Sequence, residues 1–267
     1  MIEGKRIAVV MPAYNAEKTL EATVRGLPDA VDFTILVDDS STDRTAALAK
    51  SLGLRVFVHD RNYGYGRNQQ TCYREALAAG ADIVVMVHPD YQYNPALVPS
   101  LAGLVACGSC DVALGSRILG GGALRGGMPL YKYISNRLLT AFENLFLGAK
   151  LSEYHTGYRA FSREVLLALP LLENSDDFAF DNEVLAQSIF FGYRIGEISC
   201  PARYFEEASS INFRRSVRYG FGVLATTMKF TLHKLGLVHF RIFKATGRKL
   251  DLNYYSSGVR EPAAARV

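Results

Sequence analysis

The stretch Phe33–Asp43, FTILVDDSSTD, decides the fold of this chain of 267 residues. Its apolar first half, Phe33–Val37, predicts a short strand, and the polar residues after it predict a turn into a helix over Asp43–Leu52. We expect Ser41 or Thr42 to cap that helix, because a hydroxyl oxygen can accept hydrogen bonds from the free amides at a helix start. A strand that leads directly into a helix is the repeating unit of a parallel sheet.

The same alternation of strands and helices continues on both sides of this stretch. Further strands are predicted at Arg6–Met11, Arg55–His59, Asp82–Val87 and Asp111–Gly115, and further helices at Ala16–Gly26, Gly66–Gly80 and Tyr131–Leu147. This rhythm predicts an α/β fold with a central, mostly parallel sheet flanked by helices. Ligands of such sheets bind outside the carboxyl ends of the strands, so Pro12–Asn15, Asp38–Asp43 and His88–Gln92 should meet in one crevice.

The composition limits the classes of molecule that the protein is expected to bind. The net charge of +4 and the isoelectric point near 8.8 suit an anionic substrate or an anionic membrane surface, but fall short of the basic footprint of a nucleic-acid binder. The first strand is not followed by G-x-G-x-x-G, which argues against a dinucleotide-dependent dehydrogenase. The four cysteines lack the spacing of a zinc site and are expected to be reduced, structural thiols: Cys72, Cys107, Cys110 and Cys200.

The sequence contains no run of ~18 uninterrupted apolar residues, the length that a membrane-spanning helix needs. The nearest run, Tyr219–Val238, is interrupted by Lys229, His233 and Lys234. The first residues lack the pattern of a secretory signal. We therefore expect a cytoplasmic protein whose contact with a membrane, if it has one, is peripheral and at the inner face.

Two segments lie outside the regular α/β pattern. From Arg214 onward, basic residues alternate with aromatic and aliphatic ones, as in an amphipathic helix that packs on a domain or lies in a membrane interface. Residues 213–250 are therefore predicted as a C-terminal amphipathic helical extension of a domain over 1–212, and residues 251–267 as a disordered tail. The glycine-rich stretch Gly120–Gly127 is either a lid that orders over substrate or a surface linker.

The carboxylates Asp38 and Asp39 follow the strand Phe33–Val37 directly. Capping a helix needs only one such acid. Two adjacent carboxylates at the carboxyl end of a strand are explained if one of them accepts hydrogen bonds from a nucleobase or a ribose, as acidic residues do in nucleotide-binding α/β folds.

A candidate metal site lies in HPDYQ, His88–Gln92. In an extended segment alternate residues face the same side, so His88, Asp90 and Gln92 could point at one divalent cation. Mg²⁺ and Mn²⁺ both prefer oxygen ligands, and such a cation would neutralise a diphosphate leaving group. The alternative is a turn in which Pro89 sets the bend and Asp90 only caps it.

Five motifs in order resemble the motif series of glycosyltransferase family 2, and most closely its dolichol- or polyprenyl-phosphate sugar synthases. They are Pro12–Asn15 (PAYN), Val37–Asp43 (VDDSSTD), Asp90 with Gln92, Gly115–Arg117 (GSR) and His155–Phe161 (HTGYRAF). The resemblance spans roughly Ile7 to Ile211. It implies a Rossmann-like GT-A fold, a UDP- or GDP-sugar donor, a divalent cation and an inverting, metal-dependent transfer.

The resemblance also assigns roles to residues. It places Pro12, Tyr14, Asn15 and Asp38 at the nucleoside, with Asp39 beside it. The metal motif of the family usually begins with an aspartate, so His88 is a departure that bears on how the diphosphate is held.

For the acceptor, the resemblance places Arg117 and Ser135 near a lipid phosphate, and Lys132 and Arg137 add positive charge nearby. The planar guanidinium of Arg117 suits a phosphate. An anionic acceptor needs no base. The residues predicted to take part in the reaction are therefore Asp90, Arg117 and, for the alternative below, Asp181.

Two other functions stay open. If the acceptor is a hydroxyl group, a carboxylate must take its proton, and Asp181 is preferred over Glu183 for that role. Either could instead be a solvated charge on a helix face. A non-catalytic nucleotide-sugar-binding protein would bind the donor without turnover. His155 is expected to have a structural or orienting role.

Overall fold

The computed structural model describes residues 1–202, 204, 213–252 and 259–260. Within these residues, eight strands form one sheet in the order β7-β5-β6-β4-β1-β2-β3-β8. The strands are β1 Ile7–Ala13, β2 Phe33–Asp38, β3 Arg55–His59, β4 Ile83–Met86, β5 Val112–Ser116, β6 Arg159–Ser162, β7 Ile195–Ser199 and β8 Val259–Arg260. Only β6 and β8 run antiparallel to their neighbours, which confirms the predicted mostly parallel sheet.

Eight α-helices cover the sheet in the described part of the chain. They are α1 Glu17–Arg25, α2 Thr45–Ser51, α3 Tyr65–Ala78, α4 Val98–Ala106, α5 Leu130–Leu147, α6 Arg163–Ala168, α7 Phe180–Phe190 and α8 Phe213–Lys234. The predicted helices and strands all appear, with ends shifted by one or two residues.

The central strand β1 shows why the sheet needs helices on both faces. Alternate side chains of a strand point to opposite faces. Ala8 and Val10 pack into a core with α3, α6 and α7, whereas Ile7, Val9 and Met11 pack into a second core with α1, α2 and α4. A strand that is buried on both faces reads as a continuous apolar run, as this one does.

The predicted cap of α2 is wrong. The helix begins at Thr45, and Asp43 rather than Ser41 or Thr42 accepts the hydrogen bond from the Thr45 amide, at 2.9 Å. Ser41 instead donates its hydroxyl to Asp38, and Asn15 accepts the amide of Thr42 at 2.9 Å. The hydroxyl residues are held by the carboxylate and amide at the strand ends, so they are not free to cap the helix.

The segment after residue 213 packs on the rest of the fold. Helix α8 lies against α5 and α7, and Ile242, Phe243 and Leu250 are buried in the same core as α7. Within the predicted tail, Val259–Arg260 pair with β3 as β8, while residues 253–258 and 261–267 lie outside the described residues. No helix in the described ranges is long and apolar enough to cross a membrane. All four cysteines are unpaired.

Candidate active site

A cavity of about 550 Å³ opens at the carboxyl ends of β4 and β5, below α5 and α8. It collects residues from separate parts of the chain. The predicted site residues in its wall are His88, Asp90, Gln92, Arg117, Lys132, Ser135 and Asp181, together with His155. Their meeting follows from the topology, since β4 and β5 end at the same edge of the sheet and β6, which is antiparallel, begins there.

His88, Asp90 and Gln92 share this cavity, but not because they alternate along a strand. Strand β4 ends at Met86, and Tyr91 has a left-handed backbone with φ of 54°. The amide of Gln92 donates to Oδ1 of Asp90 at 3.0 Å, which closes a tight turn. The turn predicted as the alternative is therefore present, and the three side chains line one cavity; their binding of a cation remains a prediction.

The chemistry of these three side chains fits a divalent cation that is also bound by phosphate oxygens. Burial raises the pKa of Asp90, while the nearby His88 opposes that rise, so the carboxylate gains from any additional cation. Among the described residues, no group of three or more His, Cys, Asp or Glu side chains could hold a metal. His88, Asp90 and Gln92 instead suit Mg²⁺ or Mn²⁺, which would take its remaining ligands from substrate phosphate and water.

Tyr65 connects the candidate metal ligands with Asp181. Its hydroxyl donates to Oδ2 of Asp181 at 2.6 Å and lies 3.1 Å from Nε2 of His88, and the two rings stack. Gln69 donates to Oδ1 of Asp181 at 3.0 Å. Both oxygens of Asp181 are therefore engaged. Glu183 accepts the amide of Ser175 at 2.6 Å and lies outside the cavity wall, so neither acid is the solvated helix charge considered from the sequence.

Arg117 is engaged by a partner that sequence spacing does not indicate. Its Nη2 lies 2.7 Å from Oε2 of Glu153, which is fully buried, and it also donates to the carbonyl of His155 at 2.6 Å. Nη1 donates to the hydroxyl of Tyr204 at 3.1 Å. Burial alone would raise the pKa of Glu153, but Arg117 and Asn136 hold it below the usual value. The charge of the Arg117 guanidinium, which was predicted to bind a phosphate, is thus largely neutralised by the carboxylate of Glu153.

Lys132 presents a freer positive charge to the cavity. It lines the wall and, within the described part of the chain, has no carboxylate partner. Burial and the nearby Arg117 lower its pKa. Ser135, one turn further along α5, lines the same wall. Arg137 is exposed and donates to the carbonyl of Ser152 at 2.6 Å, outside the cavity.

The residues predicted to bind the nucleoside lie beside the cavity and do not line it. Asp38 is buried and accepts both the amide and the hydroxyl of Ser41, and burial raises its pKa. Pro12 lies in β1 next to it in register with Val37, while Tyr14 is exposed at the end of the strand.

Asp39 has a different environment from Asp38. Its Oδ1 lies 2.7 Å from Nδ1 of His59 and accepts the amide of Tyr63 at 2.9 Å, and its Oδ2 accepts the amide of Gly64 at 2.9 Å. The carboxylate is buried and holds the loop that leads into α3. Asp39 therefore holds the loop that leads to Tyr65, two residues beyond Tyr63, and its place beside the nucleoside remains a prediction.

The glycine-rich stretch packs on a neighbouring segment. A Cβ at Gly126 would overlap the carbonyl of Ala202, and the amide of Tyr204 donates to the carbonyl of Gly126 at 3.1 Å. Met128, just after the stretch, lines the cavity. This segment is therefore attached to the cavity wall, and its closure over substrate remains a prediction.

Several residues of the site were not found from the sequence: Tyr65, Asn136, Glu143, Glu153, Tyr204 and Tyr219. Each acts through a contact with a residue distant in the chain. The only local signal was the pair of glycines around Tyr65, where a Cβ at Gly66 would overlap the carbonyl of Ser175.

The strand order and the polar groups at this edge define a GT-A α/β fold. Solved structures of glucosyl-3-phosphoglycerate synthase from Mycobacterium tuberculosis are similar. The complex with Mn²⁺, uridine diphosphate and glucosyl-3-phosphoglycerate gives a TM-score of 0.65 at 24% identity, covering 88% of this chain and 82% of that one. The complex with Mg²⁺ and uridine diphosphate gives a TM-score of 0.67, also at 24% identity, covering 88% and 81%.

A family profile described as glycosyl transferase family 2 matches residues 8–169, more than half of the chain. The chain belongs to this family, as the motif series predicted.

Two of the relatives by sequence have names that refer to a polyprenol or dolichyl phosphate sugar. A polyprenol monophosphomannose synthase of Mycolicibacterium smegmatis is 29% identical, covering 73% of this chain and 76% of that protein. A dolichyl-phosphate hexose transferase of Haloferax volcanii is also 29% identical, covering 74% and 82%. The low-salt glycan biosynthesis hexosyltransferase Agl6 of Haloferax volcanii is 34% identical, and the match spans 65% of this chain but only 42% of Agl6.

Proposed function

We propose that this protein transfers a sugar from a nucleoside-diphosphate sugar to an isoprenoid monophosphate. The observation that carries the proposal is a cavity whose polar end holds Asp90 and Lys132 and whose walls continue into exposed apolar helix faces. The names of the relatives support the same acceptor, and the similar structures, which were solved with uridine diphosphate and Mn²⁺, support a UDP-sugar and a divalent cation.

The first apolar face belongs to α5. Leu130, Ile134, Leu138 and Leu145 are all exposed, with Leu138 at 67% and Leu145 at 76%. Their spacing of four and seven residues places them on one side of the helix. Leu138 also lines the cavity, so the apolar stripe begins at the cavity wall and continues onto the outer surface.

The second apolar face belongs to α8. Val217, Phe221, Leu224 and Met228 follow each other at spacings of four, three and four, and Phe221 is 69% exposed. The first three line the cavity, and α8 packs on α5. Exposed apolar stripes on two adjacent helices mark an interaction surface. An isoprenoid chain that leaves the cavity between them would remain covered.

The same two stripes support peripheral contact with a membrane, which we propose to be at the inner, cytoplasmic face. Helix α8 also carries Arg218, which is exposed although its guanidinium lies 3.6 Å from Oδ2 of Asp177. Basic residues near an anionic surface assist binding by about 1 kcal/mol each. Co-sedimentation with anionic liposomes should fall in Phe221→Asp but not in Val238→Asp, which lies beyond the end of the helix. Equal sedimentation of both variants would remove α8 from the membrane surface.

In this proposal, different residues of the chain bind the donor and the acceptor. The acceptor phosphate is already an anion, so one of its oxygens forms the new bond to the anomeric carbon while the bond from that carbon to the nucleoside diphosphate breaks, with inversion. Lys132 would neutralise the acceptor phosphate and Ser135 would donate to it. Asp38 would accept a hydrogen bond from the nucleoside.

Asp90, with His88 and Gln92, would hold the cation, and the cation supplies charge neutralisation at the leaving diphosphate. Both Mg²⁺ and Mn²⁺ fit this set of ligands. Asp181 fits the role of base for a hydroxyl acceptor less well, because Tyr65 and Gln69 already donate to its two oxygens.

A matched pair of lysine variants tests the proposal. Lys132→Gln removes the charge inside the cavity, and Lys150→Gln removes an exposed charge just after α5. We expect Lys132→Gln to raise the KM for polyprenyl phosphate about tenfold or more without changing the KM for the sugar nucleotide, since a hydrogen bond to a charged group contributes ~1.5–3 kcal/mol. Lys150→Gln should behave as wild type. If wild type binds the sugar nucleotide but never releases nucleoside diphosphate, the protein is a binding protein.

A further inference from the structure

Two buried side chains, one that lines the cavity and one that does not, face each other through one atom each. Oε2 of Glu143, on α5, lies 3.3 Å from Nε2 of His155, in the loop before β6. Among the described residues, neither atom has a hydrogen-bond partner, and the approach between them is at ion-pair distance only. Glu143 is fully buried, and a buried polar atom without a partner costs ~1–3 kcal/mol. A proton shared between these two atoms would satisfy both of them.

The other atoms of the two side chains extend this pair in both directions. Asn182, on α7, donates its amide to Oε1 of Glu143. Nδ1 of His155 lies 2.9 Å from the hydroxyl of Tyr219, on α8, which lines the cavity. We call Asn182, Glu143, His155 and Tyr219 the Glu143 relay. It begins in the core and ends at the wall of the cavity.

The position of the shared proton decides what Tyr219 offers to the cavity. Burial raises the pKa of Glu143 to about 8 and lowers the pKa of His155 to about 3. A proton held on the Glu143 carboxyl at neutral pH would lie opposite Nε2 of His155, 3.3 Å from Oε2, as the acceptor nearest to it across the pair. Neutral imidazole carries one hydrogen, which is then on Nδ1 and is donated to the oxygen of Tyr219. The hydroxyl hydrogen of Tyr219 is left for the cavity.

Loss of the Glu143 proton would reverse this order. A carboxylate at Glu143 would accept from Nε2 of His155, Nδ1 would become the acceptor, and the hydroxyl of Tyr219 would be donated inward. An oxygen lone pair would then face the cavity and would repel an anion. The charged and titratable groups that face the pair come from every neighbouring element: Arg117 after β5, Glu153 and Tyr154 in the loop before β6, Arg159 in β6, Asp181 in α7 and Tyr219 in α8.

We propose that the Glu143 relay makes Tyr219 a fixed hydrogen-bond donor to a phosphate oxygen of the acceptor. Tyr219 is the binding residue, and Glu143 and His155 are positioning residues that set the direction of its hydroxyl group. This inference rests on the proposed function, because it takes the cavity to be the site of the acceptor phosphate.

Calorimetric titration of the full chain with farnesyl phosphate, at pH 7 and pH 9, tests the relay. A phosphate monoester has its second pKa near 6, so the ligand keeps nearly the same charge at both values. We expect Tyr219→Phe to bind about tenfold more weakly at pH 7, as for a lost hydrogen bond to a charged group. Tyr133→Phe, on α5 outside the cavity wall, is the matched control and should bind as wild type.

A second experiment leaves Tyr219 unchanged and alters Glu143. An amide at position 143 donates to His155 at every pH, so Glu143→Gln should lose less affinity than wild type between pH 7 and pH 9. Lys132 also titrates towards high pH, but it does so in both proteins and cancels in this comparison. Titration with inorganic phosphate, in place of farnesyl phosphate, distinguishes a free phosphate from a lipid headgroup as the natural ligand.

Three outcomes separate the claims. Failure of wild type to bind either phosphate overturns the proposed function. Binding by wild type with equal affinity in folded Tyr219→Phe overturns the relay but leaves the proposed function standing. Equal loss of affinity from pH 7 to pH 9 in wild type and in Glu143→Gln also overturns the relay.

Discussion

The guanidinium of Arg117 and the carboxylate of Glu153 form a buried pair, with Nη2 2.7 Å from Oε2. Two further hydrogen bonds, to the carbonyl of His155 and the hydroxyl of Tyr204, complete the surroundings of Arg117. An arginine held in this way supports the cavity wall as much as it serves a substrate. Its substitution should therefore change stability and activity together.

Arg117→Met should lower the free energy of unfolding by about 3–5 kcal/mol, because it leaves the buried carboxylate of Glu153 without its partner. Urea denaturation measures this change. Lys132→Met removes the same charge from the same cavity but breaks no pair, and should change stability by less than about 1 kcal/mol. Equal stability of the two variants would show that the Arg117–Glu153 pair does not support the fold.

Gly157→Ala should reduce transfer activity while leaving the fold intact. A Cβ at this position would overlap the imidazole of His88 and push it away from Tyr65. The double variant Gly157→Ala with His88→Ala removes the overlap, so its loss of stability should be smaller than the sum of the two single losses. Thermal denaturation of the three variants makes this comparison. Additive losses would mean that Gly157 is not needed to make room for His88.

Asp90→Asn should abolish metal-stimulated turnover and leave the fold intact, since it removes the single carboxylate among His88, Asp90 and Gln92. Turnover is followed as release of nucleoside diphosphate over a titration of Mn²⁺ and of Mg²⁺. Asp29→Asn, an exposed aspartate far along the chain, is the control for the loss of one negative charge. Metal stimulation that survives in folded Asp90→Asn would remove Asp90 from the site.

Glu143→Gln should stabilise the protein at pH 9 and have little effect at pH 4. Burial raises the pKa of Glu143 from 4.5 to about 8. For an acid with a raised pKa, the native state binds more protons than the unfolded state, so stability is lost as pH rises from about 4.5 through about 8. Glutamine does not titrate and avoids this loss. The melting temperatures of both proteins across this range provide the measurement, with exposed Glu164→Gln as control. A stability difference that does not grow with pH would contradict the assignment of the proton to Glu143.

Much of the fold follows from the sequence because it depends on local pattern. The buried run at β1 and the strand-to-helix change at VDDSSTD indicate a parallel sheet, and the sheet brings the ends of its strands together. His88, Asp90 and Gln92 were predicted to converge and do share the cavity. The stated reason, alternation along a strand, was wrong, because β4 ends at Met86 and the segment after it contains a turn with Tyr91 in a left-handed conformation.

The remaining features depend on contacts that spacing does not contain. Glu153 lies 36 residues from Arg117, and Asp39 lies 20 residues from His59, yet the side chains of each pair are in contact in the fold. A carboxylate that appears free in a motif can be engaged by a distant amide or imidazole. Sequence motifs therefore predicted several residues that line one cavity, but not which of them keep a free hydrogen-bonding group for a substrate.

The most direct test of the central claim is a transfer assay with three acceptors under identical conditions: polyprenyl phosphate, the same polyprenol without phosphate, and a free hexose. A panel of radiolabelled UDP- and GDP-sugars serves as donor, with Mn²⁺ or Mg²⁺ present. We expect label to enter the organic phase with polyprenyl phosphate alone, and Lys132→Gln to reduce this transfer more than Lys150→Gln does. Label that reaches the polyprenol or the free hexose equally well, with Asp181→Asn abolishing the reaction, would contradict the account and establish a hydroxyl acceptor.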